Sequence, residues 1–440
     1  MRDQTSTKET IFALSSGSLP SGVGVIRLTG PQSGPVLERL CGTIPPPRFA
    51  QLCSLRDREG NLIDRGLCLY FKGPASFTGE DSAEFQVHGG KAVVAKLLET
   101  LASMPGLRPA EAGEFTKRAY LNGKLDLANA EALSDLISAE TEAQRRFAIS
   151  NTSSKHRQLY DKWRKQLIHA RGMIEAELDF SDEADVPGSV SDVIWADVRS
   201  LRVDIANHAS SYRSAEIIRD GLQVVLLGAP NSGKSSLLNA LARRDVAIVT
   251  DEAGTTRDIL EVHLDLGGLK VTLADTAGIR TASDKIEAIG IRRSLERASD
   301  ADLVLHIEDM AAPSTYLSVL SAPVLRVGNK SDLVQSDPGG KYDCEVSAST
   351  GEGLDRLTSL IALHGAEHIE KTTSTIPFKE RHKALLDEAL AQIDHAVEEA
   401  SLELAAERLR LASTALGKIC GEIDVEDLLD TIFSSFCIGK

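Results

Sequence analysis

An octapeptide near the middle of the chain, GAPNSGKS at residues 228–235, constrains the fold more than any other feature. It fits the pattern GxxxxGK[ST], follows the apolar run 223–227 and precedes a helical segment at 236–242. In such a loop, glycines let backbone N–H groups turn toward phosphates, and the helix N-terminus adds a positive dipole. Lys234 is then expected to reach the β and γ phosphates and Ser235 to ligate Mg²⁺. The octapeptide predicts a nucleotide-binding α/β domain.

Three further motifs, each after an apolar run, predict which base is bound. DTAG at 275–278 can hold Mg²⁺ through water and sense the γ-phosphate. In NKSD at 329–332, the carboxylate of Asp332 can accept the ring N–H and the exocyclic amine of guanine, a pair that adenine does not offer. SAS at 347–349 falls where a loop that backs the base belongs. Four elements in this order predict a doubly wound, Ras-like G domain that binds GTP and resembles the translation-factor-like GTPases.

The position after DTAG bears on how GTP is hydrolysed. Many small GTPases place a water-orienting glutamine there, whereas this chain has Ile279, which cannot orient water by hydrogen bonding. Asn231 and the segment TDEAGTTRD at 250–258 suggest a substitute for an arginine finger, because an amide oxygen and loop carbonyls can hold K⁺ between phosphates. Thr256 would then be the second Mg²⁺ ligand. The alternative for Asn231 is a polar residue that merely fills the loop.

Changes in composition divide the chain into four segments. Residues 1–122 mix short β-branched runs with turns and one helical stretch, which is an α+β pattern. Residues 123–218 and 378–440 are rich in helix-forming residues, whereas 219–377 alternate apolar strands with helical segments. We therefore predict a multidomain α/β and α protein, in which one helical domain is interrupted by the inserted G domain. Two separate helical pieces remain the alternative.

Overall composition excludes several classes of protein. The 440 residues include 49 Lys+Arg and 64 Asp+Glu, a net charge of −15, which argues against a wholly basic nucleic-acid binder, although a local patch can still bind polyanions. No apolar run approaches the roughly 18 residues of a membrane span, and the first residues do not read as a signal peptide. We therefore expect a cytoplasmic protein without membrane association. Six cysteines with no CxxC pair predict neither a zinc site nor a disulfide framework.

Longer stretches of the sequence resemble a known family. The G-domain stretches GAPNSGKSSLLNAL, TDEAGTTRD and DTAGIR are accompanied by FTGED at 77–81, HGG at 88–90, the run 113–132 and a final FCIGK. Together they are similar to the MnmE (TrmE) family of tRNA modification GTPases over essentially the whole chain. The resemblance implies that residues 1–122 form a dimerisation and tetrahydrofolate-binding domain.

The resemblance also implies an activity and partners. The family acts as a homodimer with a flavoprotein, MnmG (GidA), in a heterotetramer on tRNA. It installs an aminomethyl or carboxymethylaminomethyl group at the 5-position of the wobble uridine of certain tRNAs, with a one-carbon unit from 5-formyl- or methylene-tetrahydrofolate. K⁺-dependent meeting of two G domains stimulates GTP hydrolysis.

Site residues follow from the resemblance by motif position. Glu287 would orient the attacking water, and a surface carboxylate is the alternative for it. The implied K⁺ ligands are Asn231, Thr250, Glu252 and Thr255, and the Mg²⁺ ligands are Ser235 and Thr256. The implied folate contacts are Arg27, Glu84, Lys124 and Lys440. The full set of predicted nucleotide and ion contacts is Asn231, Ser232, Gly233, Lys234, Ser235, Ser236, Thr250, Asp251, Glu252, Ala253, Gly254, Thr255, Thr256, Asp275, Thr276, Ala277, Gly278, Asn329, Lys330, Asp332, Ser347, Ala348 and Ser349.

One segment and two single residues depart from the family pattern. The segment SGSLPSG at 16–22 stands where the family has a proline-glycine-arginine-glycine turn, so one basic contact is expected to be missing. Ala229 replaces an arginine that is common in the phosphate loop, and Glu252 replaces an apolar residue. If Glu252 contributes only its carbonyl, the predicted ion site survives.

Two questions stay open at the level of sequence. An RNA- or ribosome-assembly GTPase that acts as a switch shares the G motifs and is the alternative function, as is a purely regulatory G protein. A basic stretch between residues 143 and 171 either contacts tRNA or is a solvated helix face. Its basic residues are Arg145, Arg146, Lys155, Arg157, Lys162, Arg164, Lys165 and Arg171.

Overall fold

A computed structural model of the chain describes residues 9–179, 190–244, 247, 261–275, 300–313, 322–334, 340–370, 375–421, 429, 432–434 and 436–439. The chain divides into two compact units, residues 1–134 with 416–440 and residues 135–415. The four segment boundaries predicted from composition stay a prediction, because this division is coarser. None of the helices in the described part of the chain combines the length and apolarity that a bilayer crossing requires.

The first unit is built on a six-stranded mixed sheet. Its strands are β1 Thr10–Leu14, β2 Ser21–Thr29, β3 Gln51–Arg56, β4 Leu62–Phe71, β5 Ser82–Gly89 and β6 Leu107–Pro109. They lie in the order β3-β4-β5-β2-β1-β6, with β1 parallel to β6 and antiparallel to β2. The helices are α1 Ser33–Cys41, α2 Lys91–Ala102 and α3 Glu114–Leu121. α1 and α2 bury Leu37, Leu40, Leu97 and Leu101 in one core with the sheet.

The C-terminal residues also belong to the first unit. Ile438 forms a β-bridge with Ala112, and the Ser15 hydroxyl donates to the carbonyl of Gly439 at 2.9 Å. Gly113 has a φ of +65°, and a Cβ there would lie 2.4 Å from the Phe433 carbonyl oxygen, so only glycine fits this approach. The C-terminal residues therefore contact two separate parts of the first unit, at Ser15 and at residues 112–113.

The second unit contains a set of long helices and a second sheet. Its helices are α5 Glu142–Asn151, α6 Lys155–Asp179, α7 Val190–Ser210, α8 Tyr212–Asp220, α9 Lys234–Ala242, α10 Leu354–Glu370 and α11 Glu380–Glu398. Two more helices, α4 Leu127–Ser138 and α12 Leu402–Ile419, span the division between the units. Arg202 of α7 pairs with Asp394 of α11 at 2.6 Å.

The second sheet has the topology expected of a nucleotide-binding domain. Its strands are β7 Leu222–Leu227, β8 Glu261–Leu266, β9 Leu269–Asp275, β10 Leu303–Asp309, β11 Val324–Asn329 and β12 Cys344–Val346. They lie in the order β12-β11-β10-β7-β9-β8, all parallel except β8. The predicted motifs follow β7, β9, β11 and β12, and the carboxyl ends of these parallel strands lie at one edge of the sheet. The predicted fold class is confirmed.

Candidate guanine-nucleotide site

The phosphate loop joins β7 to α9 through two residues in the left-handed region. Asn231 has a φ of +64° and Gly233 a φ of +92°. A Cβ at Gly233 would lie 2.1 Å from Nδ2 of Asn329, so a side chain has no room there. The loop thus brings α9 to the sheet edge with Ser235 and Ser236 exposed on its first turn, where the helix dipole favours anions.

Lys234 is held over the loop rather than extended into solvent. Its ammonium donates to the carbonyls of Gly228 at 2.8 Å and Ala229 at 3.0 Å, and the residue is buried. A cation positioned above loop carbonyls at a helix N-terminus is suited to neutralise phosphate oxygens. The predicted role of Lys234 therefore fits its placement.

Asn329 connects the phosphate loop to the two base-recognition loops. Its Nδ2 donates to the carbonyl of Ser232 at 2.9 Å, and its Oδ1 accepts from the backbone N–H of Ala348 at 3.3 Å. Asn329 itself is buried. Sequence reasoning assigned this residue to nucleotide contact, and the structure adds a positioning role in which one amide holds three loops together.

Asp332 is the residue expected to read the base. It is exposed and accepts from the Ser349 hydroxyl at 3.3 Å. A hydrogen bond from Ser347 is the main cause that lowers the pKa of the Asp332 carboxyl. The group is therefore an ionised acceptor at neutral pH, as recognition of two guanine N–H groups requires. Ser347 and Ser349 also contact each other at 2.9 Å, which orders the backing loop.

Lys330 is placed by a contact that the motif does not reveal. Its φ is +64°, and its ammonium forms an ion pair with Asp309 at the end of β10 at 2.6 Å. The hydrogen bond from Lys330 lowers the pKa of the Asp309 carboxyl. The pair joins the ends of β10 and β11, so Asp309 is a positioning residue that the sequence analysis missed.

Many of the predicted contacts lie outside the described residues. Asp275 ends β9, and only its backbone is described. The other predicted residues that fall outside are Thr250, Asp251, Glu252, Ala253, Gly254, Thr255, Thr256, Thr276, Ala277, Gly278, Glu287 and Lys440. The predicted K⁺ and Mg²⁺ ligands and the predicted catalytic carboxylate all stay predictions, including Asn231 and Ser235, which lie within the described residues.

The three predicted folate residues that the structure describes fall at two places in the first unit. Arg27 and Glu84 are cross-strand neighbours on β2 and β5, with Nε and Nη2 of Arg27 at 3.0 and 2.9 Å from Oε1 of Glu84. Lys124 instead donates to the carbonyl of Pro74 at 2.9 Å. The structure thus joins two of the four predicted residues directly.

The basic stretch of the helical region is largely paired. Arg145 and Arg146 both contact Glu142, which lies just before the stretch, and Arg171 pairs with Glu175 just after it. Arg157 pairs with Asp161. On α6, an open groove of about 570 Å³ is lined by Gln158, Asp161, Lys162, Lys165, Gln166 and His169. Carboxylates therefore offset part of the positive charge of this surface, including two that lie outside the stretch.

Three of the cysteines lie closer together than their spacing indicated. Spacing predicted no metal site, yet the Sγ atoms of Cys41, Cys53 and Cys68 lie within 4.8 Å of one another in the described part of the chain. Ligand spacing rules describe local loops, whereas these residues come from a helix and two strands. One available sign of this cluster is the alternation of side chains along the two strands. Burial alternates along β3 and β4, which places Cys53 and Cys68 on the buried face.

The fold and the site together define a class: a multidomain guanine-nucleotide-binding protein with a phosphate loop and a base-recognition carboxylate at one edge of a parallel sheet. Two family models match the chain, "MnmE helical domain" over residues 127–437 and "GTP-binding protein TrmE N-terminus" over residues 10–124. The chain belongs to the MnmE family of tRNA modification GTPases.

Similar full-length proteins support this assignment. The tRNA modification GTPase MnmE of Chelativorans sp. (strain BNC1) is 61% identical over 442 residues and 100% of both chains. The tRNA modification GTPase MnmE of Mesorhizobium japonicum is 54% identical over 439 residues, which cover 98% of this chain and 99% of that protein. The predicted family and the predicted GTPase activity are thereby confirmed.

Two solved structures show a weak likeness to part of the chain. The G domain of the T. maritima FeoB iron transporter is 26% identical, with 33% of this chain and 98% of that chain covered, at a TM-score of 0.26. Aquifex aeolicus Era bound to GDP and AlF4⁻ is 21% identical, with 39% and 66% covered, at a TM-score of 0.25. The G-domain fold is assigned instead from the strand order of the second sheet.

Proposed function

We propose that this GTPase acts in modification of the wobble uridine of tRNA, with a flavoprotein partner of the MnmG (GidA) type. The observation that carries the proposal is the end-to-end match, at 61% identity, to a protein named as a tRNA modification GTPase. The product would carry an aminomethyl or carboxymethylaminomethyl group at the 5-position. A cytoplasmic location follows from the tRNA substrate in this proposal.

GTP hydrolysis is proposed to depend on K⁺. Asn231 offers an exposed amide at the left-handed turn of the phosphate loop, and the chain has Ile279 where a water-orienting glutamine would stand. Bound K⁺ would supply the positive charge that other GTPases obtain from an arginine. Thr250, Glu252 and Thr255 complete the proposed ligand set, and Glu287 is the proposed catalytic carboxylate that orients water.

Magnesium is proposed to bind through Ser235 and Thr256. Ser235 is exposed on the first turn of α9, and hydroxyl oxygen is a ligand type that suits a hard cation. Lys234, whose ammonium lies above the phosphate loop, and the helix N-terminus would hold the phosphates beside it. When bound, the ion neutralises charge on the phosphate oxygens.

The first unit is proposed to bind a one-carbon tetrahydrofolate, 5-formyl or methylene. Both described contacts of Arg27 go to Oε1 of Glu84, so Oε2 of that carboxylate can accept from the hydrogen-bonding edge of a pterin. Lys124 and Lys440 would serve the acidic tail of folate. The contacts of the tail with Ser15 and Ala112 support a place for the C-terminus in this unit.

A homodimer is proposed through the outer part of the first sheet. Leu52 and Leu67 are direct cross-strand partners on β3 and β4, and they are 70% and 41% exposed. Phe49 and Leu62 add further exposed apolar surface, and β3 is an edge strand. Apolar side chains grouped on a sheet edge indicate an interaction surface.

The dependence on K⁺ is tested by replacing KCl with NaCl in GTP turnover measurements. Turnover of the wild-type chain should fall strongly in NaCl, whereas Asn231→Ala should be slow in both salts. Equal wild-type rates in the two salts would remove the ion from the mechanism. Nucleotide binding measured alongside separates loss of catalysis from loss of the site.

The modification itself is tested in cells. Mass spectrometry of tRNA from cells that lack this protein should show loss of the 5-substituent at the wobble uridine, restored by the wild-type gene. Binding of 5-formyltetrahydrofolate to the purified chain should weaken in Arg27→Ala. Unchanged wobble bases together with no folate binding would favour an RNA-assembly switch instead.

A further inference from the structure

Three cysteines of the first unit meet between a helix and the edge of the sheet. Cys41 is the last residue of α1, Cys53 lies on β3 and Cys68 on β4. Their three Sγ atoms lie within 4.8 Å of one another, and those of Cys41 and Cys68 are 3.4 Å apart. None of the activities proposed above uses this cluster.

The pairing of β3 with β4 brings two of the thiols together. In the antiparallel register Cys53 lies opposite Gly66 and Cys68 opposite Gln51, so the two cysteines are diagonal neighbours. Both side chains face the core, because burial along each strand alternates with a period of two. Gly66 has no side chain to separate them.

Helix α1 supplies the third thiol. Val36, Leu37 and Leu40 are buried against the sheet, which fixes the rotation of the helix. Cys41 follows at the end of that apolar face, just before Gly42, whose left-handed conformation ends the helix. The thiol is therefore held over Cys53 and Cys68 by the packing of α1.

The separations suit a single coordinated ion. Two thiolates on one Zn²⁺ at about 2.3 Å are roughly 3.8 Å apart for a tetrahedral angle, and about 4.0 Å for a trigonal one. The 3.4 Å between Cys41 and Cys68 lies below these values, and no separation exceeds 4.8 Å, so each would change by about 1 Å or less on binding. Cys53 is 6% and Cys68 0% exposed, whereas Cys41 is partly exposed and opens one side to solvent.

We propose that Cys41, Cys53 and Cys68 form a three-thiolate site for a thiophilic metal ion, with Zn²⁺ and Cu⁺ as the candidates. Soft thiolates select these ions over Mg²⁺ or Ca²⁺. Binding replaces three S–H bonds with three metal–sulfur bonds and releases three protons to solvent, with no change of oxidation state. For Zn²⁺ the resulting centre carries a single negative charge, and water can complete the tetrahedron on the exposed side of Cys41.

The arrangement has a structural consequence. The ion would join the C-terminus of α1 to the strands β3 and β4, in addition to the apolar packing that already holds the helix on the sheet. The site therefore stabilises the part of the sheet that carries the exposed residues Leu52 and Leu67. The inference does not depend on the proposed tRNA chemistry, since metal binding is measured without substrate.

The test uses the purified full-length chain under reducing conditions. After chelation, the protein is titrated with Zn²⁺, or with Cu⁺ under anaerobic conditions, and metal content is measured by native mass spectrometry. One ion per chain should remain after gel filtration of the wild type, and none in Cys41→Ser. The matched controls Cys344→Ser and Cys437→Ser remove a buried and an exposed thiol elsewhere and should keep the ion.

A spectroscopic measurement covers the case in which a variant loses its fold. Co²⁺ bound to the wild-type chain should show sulfur-to-metal charge-transfer absorption of an intensity that corresponds to three thiolates. Absorption for fewer thiolates, or a bound ion that survives in folded Cys41→Ser, would overturn the proposal. Failure of Zn²⁺, Cu⁺ and Co²⁺ to bind the wild type would show that the three thiols are only packed side chains.

Discussion

Among individual residues, Gly233 carries the tightest steric constraint of the nucleotide site. Its φ of +92° favours glycine, and a Cβ would lie 2.1 Å from the Asn329 amide. Gly233→Ala should therefore displace Asn329 and break its hydrogen bond to the Ser232 carbonyl. The free energy of unfolding should fall by about 1–3 kcal/mol. We expect GTP affinity to fall by about 10-fold or more, measured by equilibrium titration.

Gly340 provides the matched control for this substitution. It also has a positive φ, +64°, but a Cβ there would meet nothing within 4 Å. Gly340→Ala should show a loss of stability from its backbone conformation alone and unchanged GTP affinity. Equal effects of the two substitutions on affinity would contradict the steric role of Asn329.

Asp332 is predicted to determine the choice of base. Asp332→Asn removes one charged acceptor, and a hydrogen bond to a charged group contributes about 1.5–3 kcal/mol. We expect GTP to bind about 10- to 100-fold more weakly. Xanthosine triphosphate should bind better than GTP to the variant, because the new amide N–H can donate to its 2-oxo group. Competition titrations with the two nucleotides measure both effects.

Asp355→Asn is a suitable control for that experiment. Asp355 is an exposed carboxylate of the same unit, paired with Arg244 and outside the base-recognition loops. Its substitution should leave both affinities unchanged. If Asp355→Asn weakened GTP binding as much as Asp332→Asn does, the loss of negative charge, rather than of a base contact, would explain the effect.

The residues of the nucleotide site could be predicted because their pattern is local. The spacing GxxxxGK defines one loop, and Lys234 and Gly233 fall within it. The ion pair of Lys330 with Asp309 joins residues on separate strands, and no spacing rule reports it. The cysteine cluster was missed for the same reason, because strand pairing brings its members together.

On the scale of elements, the helices around His208 form a buried polar core. Nε2 of His208 on α7 and the Tyr160 hydroxyl of α6 are hydrogen-bonded at 3.0 Å. Burial, with smaller contributions from His156 and His382, lowers the pKa of His208 to about 3. Burial likewise lowers the pKa of His156, whose Nε2 contacts the Ile376 carbonyl at 2.9 Å. Both imidazoles are therefore neutral in the folded chain.

This core should make stability depend on pH. Unfolded histidine takes up a proton below a pKa of about 6.5, whereas His208 stays neutral down to about pH 3 in the folded state. The free energy of unfolding should therefore fall as pH drops through 6.5, by about 1.4 kcal/mol per pH unit for each such histidine. Urea denaturation between pH 7.5 and 5 measures this slope.

Substitution tests whether His208 causes the slope. His208→Gln keeps a hydrogen-bonding side chain without a titrating group, so the decrease in stability toward pH 5 should be smaller. His169, exposed on α6, is the control, and His169→Gln should keep the wild-type slope. Identical pH profiles for all three proteins would exclude His208 as the cause.

Helix α6 is the element through which tRNA contact can be tested. Lys162 and Lys165 line its open groove, whereas the neighbouring Arg157 is paired with Asp161. Reversal of both lysines to glutamate should weaken tRNA binding and reduce the salt slope by about 0.9 for each phosphate that is no longer neutralised. Filter binding at several KCl concentrations measures both. Lys383→Glu, on α11, is the control, and an equal weakening there would point to net charge alone.

Element types could be predicted better than their ends. The helical stretch after residue 123 is divided into α4, α5 and α6 in the structure. The start of α5 depends on a capping box, in which Thr141 accepts from the Gln144 N–H and the Gln144 side chain accepts in return. That signal is a pair of polar residues within a run of good helix formers, so periodicity alone does not reveal it. Strand β6 has only three residues and pairs with β1, which is distant in sequence, so no local pattern predicts it.

On the scale of the whole molecule, the proposed dimer can be separated from the fold of the single chain. Leu52 and Leu67 lie outside the buried core, so their replacement by aspartate removes little from it. In a two-fold interface each substitution occurs twice, and burial of one leucine contributes about 1.5–3 kcal/mol. The double variant Leu52→Asp/Leu67→Asp should therefore be monomeric at concentrations where the wild type is a dimer, as measured by sedimentation velocity. Leu363→Asp, at an exposed leucine of α10, should remain dimeric, and a dimeric double variant would place the interface elsewhere.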